Sequence, residues 1–343
     1  MNKFLIVRLS SLGDIIHTLP AFAALRSTHR DAHITWVVEE KGREILELVP
    51  GLDRIVTLRA REKRGRMGSL GKEISRVKAE IRDRQQTALD FQGLLKSAWL
   101  TWLSRAQKRV GFHRTNLREP LAGLFYSDRA ELFPEDRHVI FKNLKLLEVI
   151  GIREETLVFP LEVPETLKED VKIRLHPLGF HGTQKLVVVN IGAAWETKRW
   201  SALRWADLVR EIQRPEVFPL LLWGTEIEKQ LAEEISAQVQ VARAPFISIR
   251  EVIALISAAD LVVSGDTFAL QVACALSRPV VAIFGPTDPK RNGPFHEDDR
   301  IVFHEMECSY CYRRKCPDLK CLEAVRPEEL AAECWARLKE TGD

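Results

Sequence analysis

Apolar residues in this chain fall into short continuous blocks, separated by longer stretches in which they recur at helical spacing. The first block, Phe4-Leu5-Ile6-Val7, opens a series of predicted strands at 4–8, 34–38, 54–58, 88–91 and 108–111. Helical patterns over 15–26, 42–48, 70–82 and 94–106 follow most of them. Such alternation predicts a parallel sheet covered by helices. Pro160, Pro164, Pro177, Gly179 and Gly182 then punctuate a charged stretch with one short helix, which places an interdomain connection at 166–185. A second alternating unit follows, with strands at 186–191, 217–223, 238–242, 261–264 and 280–284. Its helices are expected near 204–213, 226–237, 249–258, 268–276 and 327–339. The pattern predicts an α/β protein of two similar halves, 1–165 and 186–326, with a cleft between them and a terminal helix within 327–343. No short-period repeat or low-complexity segment interrupts it.

Length and composition agree with this division. The 343 residues suit two α/β domains, and 45% apolar with 29% charged residues is a soluble, globular balance. A formal net charge of +3 gives no whole-molecule field for nucleic acid. No apolar run approaches the ~20 residues that span a bilayer. Met1-Asn2-Lys3-Phe4 leads directly into a strand, and no signal-peptide cleavage pattern follows Pro20. The expected location is cytoplasmic.

Candidate chemistry lies where predicted strands end. Ser10-Ser11-Leu12-Gly13-Asp14 follows the first strand and opens a helix. Glycine permits close backbone approach there, and Asp14 can act as a base or serve only as a helix cap. In the second half, strand 261–264 runs into Gly265-Asp266-Thr267 and then the apolar helix 268–276. The free amides near Thr267, Phe268 and Ala269 are an anion site, unless Asp266 and Thr267 simply cap that helix. Strand 186–191 leads into Gly192-Ala193-Ala194-Trp195-Glu196-Thr197-Lys198-Arg199. Ala193 and Ala194 leave backbone amides accessible, and Lys198 supplies either a phosphate-binding charge or half of a solvated basic pair. Gly285-Pro286-Thr287-Asp288-Pro289 is a rigid loop beyond a strand end, suited to a ligand or to an ordinary turn. Glu228, after Trp223-Gly224-Thr225, can accept from ribose hydroxyls or lie on a helix surface.

Two segments stand apart. Between Arg54 and Arg82 lie Arg59, Arg61, Lys63, Arg64, Arg66, Lys72, Arg76 and Lys78 with few acids, a run that by composition reads as a solvated face. Trp99 and Trp102, beside Lys96, Arg105 and Lys108, suit a membrane interface or core packing. Cys308, Cys311, Cys316 and Cys321 form a Cys-x2-Cys-x4-Cys-x4-Cys array. Four such thiols can surround a structural zinc or iron, with disulfides or free thiols as the alternatives. No catalytic cofactor is expected.

Together these motifs resemble glycosyltransferase family 9, the heptosyltransferases of lipopolysaccharide core synthesis. The Ser-Ser-Leu-Gly-Asp-Ile-Ile-His-Thr-Leu-Pro opening and the Gly-Pro-Thr-Asp-Pro loop carry most of the likeness. Trp36-Val37-Val38-Glu39-Glu40, Asp90-Phe91-Gln92-Gly93-Leu94-Leu95-Lys96-Ser97 and Arg118-Glu119-Pro120-Leu121-Ala122 are similar to its heptosyltransferase I branch. The resemblance implies a GT-B fold, two Rossmann-like domains whose parallel sheets face an interdomain cleft. It further implies inverting transfer of heptose from ADP-heptose to Kdo-bearing lipid A, without a catalytic metal, at the cytoplasmic face of the inner membrane. Asp14 would be the general base and Lys198 the diphosphate contact. Ala193, Ala194, Glu228, Ile247, Asp266, Thr267, Phe268 and Gln271 would bind the donor. Phe268 and Gln271 stand where the family commonly has glycine and histidine. Ser11, Gly13, Arg61, Lys63, Arg64, Gln92 and Arg118 would meet the acceptor. A different core heptose, a protein acceptor, or a GT-B sugar-nucleotide epimerase are the rival expectations.

Overall fold

The computed structural model describes residues 2–59, 67–82, 87–134 and 137–340. The expected acceptor contacts Arg61, Lys63 and Arg64 lie outside the described residues. The chain divides into two compact units, Met1–Glu162 and Val163–Asp343.

In the first unit, the described strands are β1 (Lys3–Val7), β2 (His33–Glu39), β3 (Arg54–Leu58), β4 (Thr87–Asp90), β5 (Lys108–Gly111) and β6 (Asp128–Arg129). They form one parallel sheet ordered β3-β2-β1-β4-β5-β6. The apolar blocks are continuous because helices cover the sheet. Leu5, Val7, Val37, Val56 and Ala88 share one core with Val77, Ile81 and Leu100 from the covering helices.

The second unit repeats this wiring. Its described strands are β7 (Lys185–Asn190), β8 (Val217–Leu222), β9 (Ala242–Arg243), β10 (Leu261–Gly265), β11 (Val280–Ile283) and β12 (Arg300–Val302). Their order is β12-β11-β10-β7-β8-β9, again all parallel. Counted from the first strand of each unit, both sheets read 3-2-1-4-5-6, the dinucleotide-fold order. The terminal helix Pro327–Glu340 is part of this unit: Leu330, Cys334 and Leu338 join the core of Trp205, Leu208 and Val209.

Three local features differ from the pattern read in the sequence. The helix expected over 15–26 is two helices, Leu12–Ile16 and Leu19–Thr28, broken at His17 and Thr18. Pro20 opens the second, Thr18 Oγ1 donates to the Asp14 carbonyl (2.8 Å), and Asn143 donates to the His17 carbonyl (2.8 Å). The strand expected at 238–242 is the short Ala242–Arg243, because 238–241 completes the turn out of helix Glu226–Ser236. Helix Val139–Leu147 and the strands β6 and β12 add to the elements expected.

Candidate active site

In a sheet of order 3-2-1-4-5-6 the chain departs in opposite directions from the first and fourth strands, leaving a crevice beyond their carboxyl ends. In the first unit those strands are β1 and β4. The loop after β1 carries Asp14, and the loop after β4 carries Gln92.

Asp14 has partners on both oxygens. Its Oδ1 pairs with an Arg8 guanidinium nitrogen at 2.6 Å. Its Oδ2 accepts from the Ser11 amide (3.0 Å) and hydroxyl (2.9 Å), so the capping role weighed from sequence is realised as well. Burial pushes its carboxyl pKa up, but the charges of Arg8 and His17 and the Ser11 bonds outweigh that and leave it below the ordinary aspartate value. Asp14 is thus a carboxylate favoured in its ionised form, and its side chain remains 36% exposed. Sequence reasoning missed Arg8, which it read only as the last residue of a strand. Its side chain is buried and also donates to the Phe91 carbonyl, joining the β1 and β4 loops.

Gln92, expected at the acceptor, also holds the loop after β1. Its Oε1 accepts from the backbone amides of Leu9 (2.7 Å) and Ser10 (3.2 Å), which fixes the β1 loop. Behind it, Asp90 is fully buried and accepts four hydrogen bonds: from the Gln92 and Gly93 amides, the Ser97 hydroxyl and the Tyr126 phenol. Burial raises its carboxyl pKa more than those bonds lower it. Ser11 and Arg118 are exposed and Gly13 half-buried. This is a rigid, donor-lined frame around one exposed carboxylate.

The second unit's crevice lies beyond β7 and β10. Asn190, at the end of β7, donates to the hydroxyls of Ser264 and Thr267, each at 3.0 Å. This turns Thr267 away from helix Phe268–Ala275, whose first amides therefore have no side-chain cap. Such amides favour an anion. Lys198 Nζ lies 2.6 Å from Asp266 Oδ2 and 4.5 Å from the Trp195 ring centre. Ala193 is buried and Ala194 exposed. Glu228 Oε2 accepts from the Gly224 amide at 2.8 Å, and its carboxylate lies so close to Gly192 that a Cβ there would be 2.3 Å from it. Glu228 therefore stands at the ends of two neighbouring strands, β7 and β8, and not on an outer helix surface.

Other expectations move. Phe268 is half-buried, and Ile247 is 9% exposed. Gln271 is buried with its amide donating to the Asn292 carbonyl (2.8 Å), so that donor is turned inward. The Gly285–Asp288 loop is a seat for the cysteine-rich segment. A Cβ on Gly285 would lie 2.8 Å from Leu322 Cγ and 3.2 Å from Cys321 Sγ. The Tyr312 amide donates to the Pro286 carbonyl (3.0 Å), and the Asp288 amide donates to the Tyr312 hydroxyl (3.3 Å). Among the described residues no three His, Cys, Asp or Glu side chains are gathered to hold a metal ion. Cys308, Cys311 and Cys316 are exposed free thiols, whereas Cys321 is buried. Burial, with Cys308 and Cys311 nearby, raises the Cys321 pKa.

The order of each sheet and the loops that carry its polar groups define two α/β units of the dinucleotide-fold class. The profile of glycosyltransferase family 9 (heptosyltransferase) matches residues 74–322, and the chain belongs to that family. It is a glycosyltransferase. Lipopolysaccharide heptosyltransferase 1 of Pseudomonas aeruginosa is 28% identical, over 98% of this chain and 94% of that protein. The Escherichia coli K12 protein of the same name is also 28% identical, over 87% and 92%. Among solved structures, a family 9 glycosyl transferase from Veillonella parvula superposes with a TM-score of 0.84 at 22% identity, covering 99% and 97% of the two chains. E. coli heptosyltransferase WaaC with ADP superposes at 0.77 and 23%, covering 99% of each. These likenesses confirm the GT-B fold.

Proposed function

We propose that this chain moves heptose from ADP-heptose to the Kdo region of lipid A in lipopolysaccharide inner-core synthesis, with inversion at the anomeric carbon. The observation that carries the reading is Asp14: an ionised carboxylate at the crevice of the first sheet, oriented by Arg8 and Ser11. The acceptor hydroxyl gives its proton to Asp14 as its oxygen bonds to the anomeric carbon. The bond from that carbon to the diphosphate breaks on the opposite face, and ADP leaves with the electron pair. Because Asp14 is a weak base, proton transfer falls late, when the attacking hydroxyl has become acidic. Fixed dipoles stabilise the departing charge without reorganising. Here these are the uncapped amides of helix Phe268–Ala275, next to Lys198. Glu228 binds the adenosine ribose. The heptosyltransferase 1 relatives, matched over nearly their whole length, support the choice of donor and acceptor.

The acceptor is a lipid, and the first unit offers a surface for one. Trp102 is 51% exposed, Leu121 59% and Leu124 79%, on two packed helical segments, Leu95–Leu103 and Pro120–Phe125. Arg105, Arg114 and Arg118 are close in sequence. An apolar patch with exposed arginines near it in sequence suits peripheral contact with an anionic membrane, and among the described residues no helix is long and apolar enough to cross one. We place this contact at the cytoplasmic face of the inner membrane.

The test is incubation of the purified chain with ADP-heptose and Kdo-bearing lipid A, following ADP release and acceptor mass. One added heptose per acceptor is expected. Consumption of ADP-heptose without an acceptor would indicate an epimerase or hydrolase, and transfer only to an already heptosylated core or to a protein would reassign the acceptor.

A further inference from the structure

The charge balance at the proposed diphosphate site is incomplete. Lys198 is the cation that sequence assigns there, yet its ammonium is 2.6 Å from Asp266 Oδ2 and also bonds the Asp266 carbonyl at 3.3 Å. Both side chains are largely buried, at 14% and 10% exposed. A diphosphate approaching the amides of helix Phe268–Ala275 thus meets a neutral ion pair and only the partial positive charge of a helix end. A leaving group of two or more negative charges calls for another cation.

The cysteine-rich segment brings one. Arg314 stacks on Trp195, its guanidinium carbon 5.2 Å from the ring centre, and Lys198 contacts the same ring at 4.5 Å. Unlike Lys198, Arg314 is exposed and has no carboxylate partner among the described residues. Its position is built by the fold. The buried Thr197, next to Lys198, donates its hydroxyl to the Arg313 carbonyl at 2.6 Å. Tyr312 is bonded to both Pro286 and Asp288, while Cys321 and Leu322 pack on Gly285. The segment is therefore tied to the loops after β7 and β11, and Arg314 is the charge that this attachment delivers beside Lys198.

We propose that Arg314 is a diphosphate-binding residue of the donor site, and that the cysteine-rich segment is the strap that positions it. The proposal rests on the ADP-heptose reading above. It does not depend on whether the thiols ever hold a metal. Guanidinium pairs with phosphate oxygens through two parallel hydrogen bonds, and it stacks on an aromatic face without losing that ability.

The test compares ADP with adenosine, which lacks the diphosphate, by calorimetry on the full chain. Arg314→Ala is expected to weaken ADP about 10- to 100-fold, the range for a hydrogen bond to a charged group. Adenosine affinity and melting temperature should stay unchanged, whereas turnover at saturating donor should fall, because the departing diphosphate loses a cation. Arg314→Lys should recover part of the loss, and raised salt should shrink the difference between wild type and Arg314→Ala. Thr197→Val, which cuts the tether but keeps the Arg314 side chain, should weaken ADP in the same sense. Unchanged ADP affinity in Arg314→Ala, or an equal loss for adenosine, overturns the proposal. If the unaltered chain binds adenosine but not ADP, or binds neither, the donor reading fails and the proposal fails with it.

Discussion

Gly192→Ala offers a quantitative check on the donor site. The substitution puts a methyl where Glu228 has its carboxylate, 2.3 Å from both Cδ and Oε1 and 2.8 Å from Oε2. Ordinary contact begins near 3.4 Å, so the carboxylate must retreat by about 1 Å. That retreat breaks its 2.8 Å bond from the Gly224 amide, which aims it between β7 and β8. Backbone strain is not the issue, because Gly192 is not among the glycines with positive φ. A hydrogen bond to a charged acceptor is worth about 1.5–3 kcal/mol. If the aimed carboxylate binds ribose, adenosine and ADP should both bind roughly 10- to 100-fold more weakly, since 1.4 kcal/mol is tenfold. Melting temperature should barely move, because the side chain that shifts is half-exposed. A double-mutant cycle isolates the cause. In a Glu228→Ala background the added methyl has nothing to displace, so Gly192→Ala should then cost almost nothing. Additive losses in the double variant would show that the glycine serves something other than Glu228 and would refute the ribose assignment.

Asp14→Asn should cut turnover by about 100- to 10,000-fold while leaving ADP affinity intact, as measured by steady-state kinetics and calorimetry. Arg8→Met should move the acid limb of the pH–rate profile upward. In the native protein the Asp14 pKa is lowered, so its ionised form is present above the ordinary aspartate value and is lost only as pH falls through the depressed one. Without the guanidinium that loss begins at higher pH, and an unmoved limb would remove Arg8 from the site. Asp299 titrates with the opposite sign: burial raises its pKa to about 6. The folded state therefore prefers the protonated acid, and stability declines as pH rises from about 4 to 6. Asp299→Asn keeps an acceptor for the Val280 amide (3.1 Å) and removes the charge. Its melting temperature should exceed wild type at pH 8 and converge with it near pH 4. Anionic vesicles should bind the wild-type chain more strongly than Trp102→Ser or Leu124→Ser, with sedimentation as the readout; equal binding would move the membrane contact elsewhere.

Most of the two sheets was readable because a parallel strand covered on both faces is an unbroken apolar block, as in Leu261-Val262-Val263. What escaped were strands too short to carry a pattern. Asp128–Arg129 and Arg300–Val302 are sheet edges defined by pairing with β5 and β11, not by their own composition. In the site, Asp14, Lys198 and Glu228 could be placed because each follows a glycine-bearing turn at the end of an apolar block. Arg8 could not: nothing in Val7-Arg8-Leu9 tells an arginine folded over its own loop from one facing solvent. The bonds that Gln92 and Gln271 make to Leu9, Ser10 and Asn292 were not legible, because those partners are distant in sequence. The cysteine spacing suggested a metal, whereas the segment's attachment to Pro286 and Asp288 arises only in three dimensions.

The buried Asp90 frame has a bearing on genetics. Tyr126 reaches Asp90 only because residue 111 has no side chain: a Cβ there would lie 2.1 Å from the tyrosine ring. Alleles at Gly111, Tyr126 or Asp90 would reach Asp14 by a relay, each loosening the next loop until the carboxylate loses its aim. A screen for defective cell envelopes would recover such alleles as apparent active-site lesions, although all three residues are buried.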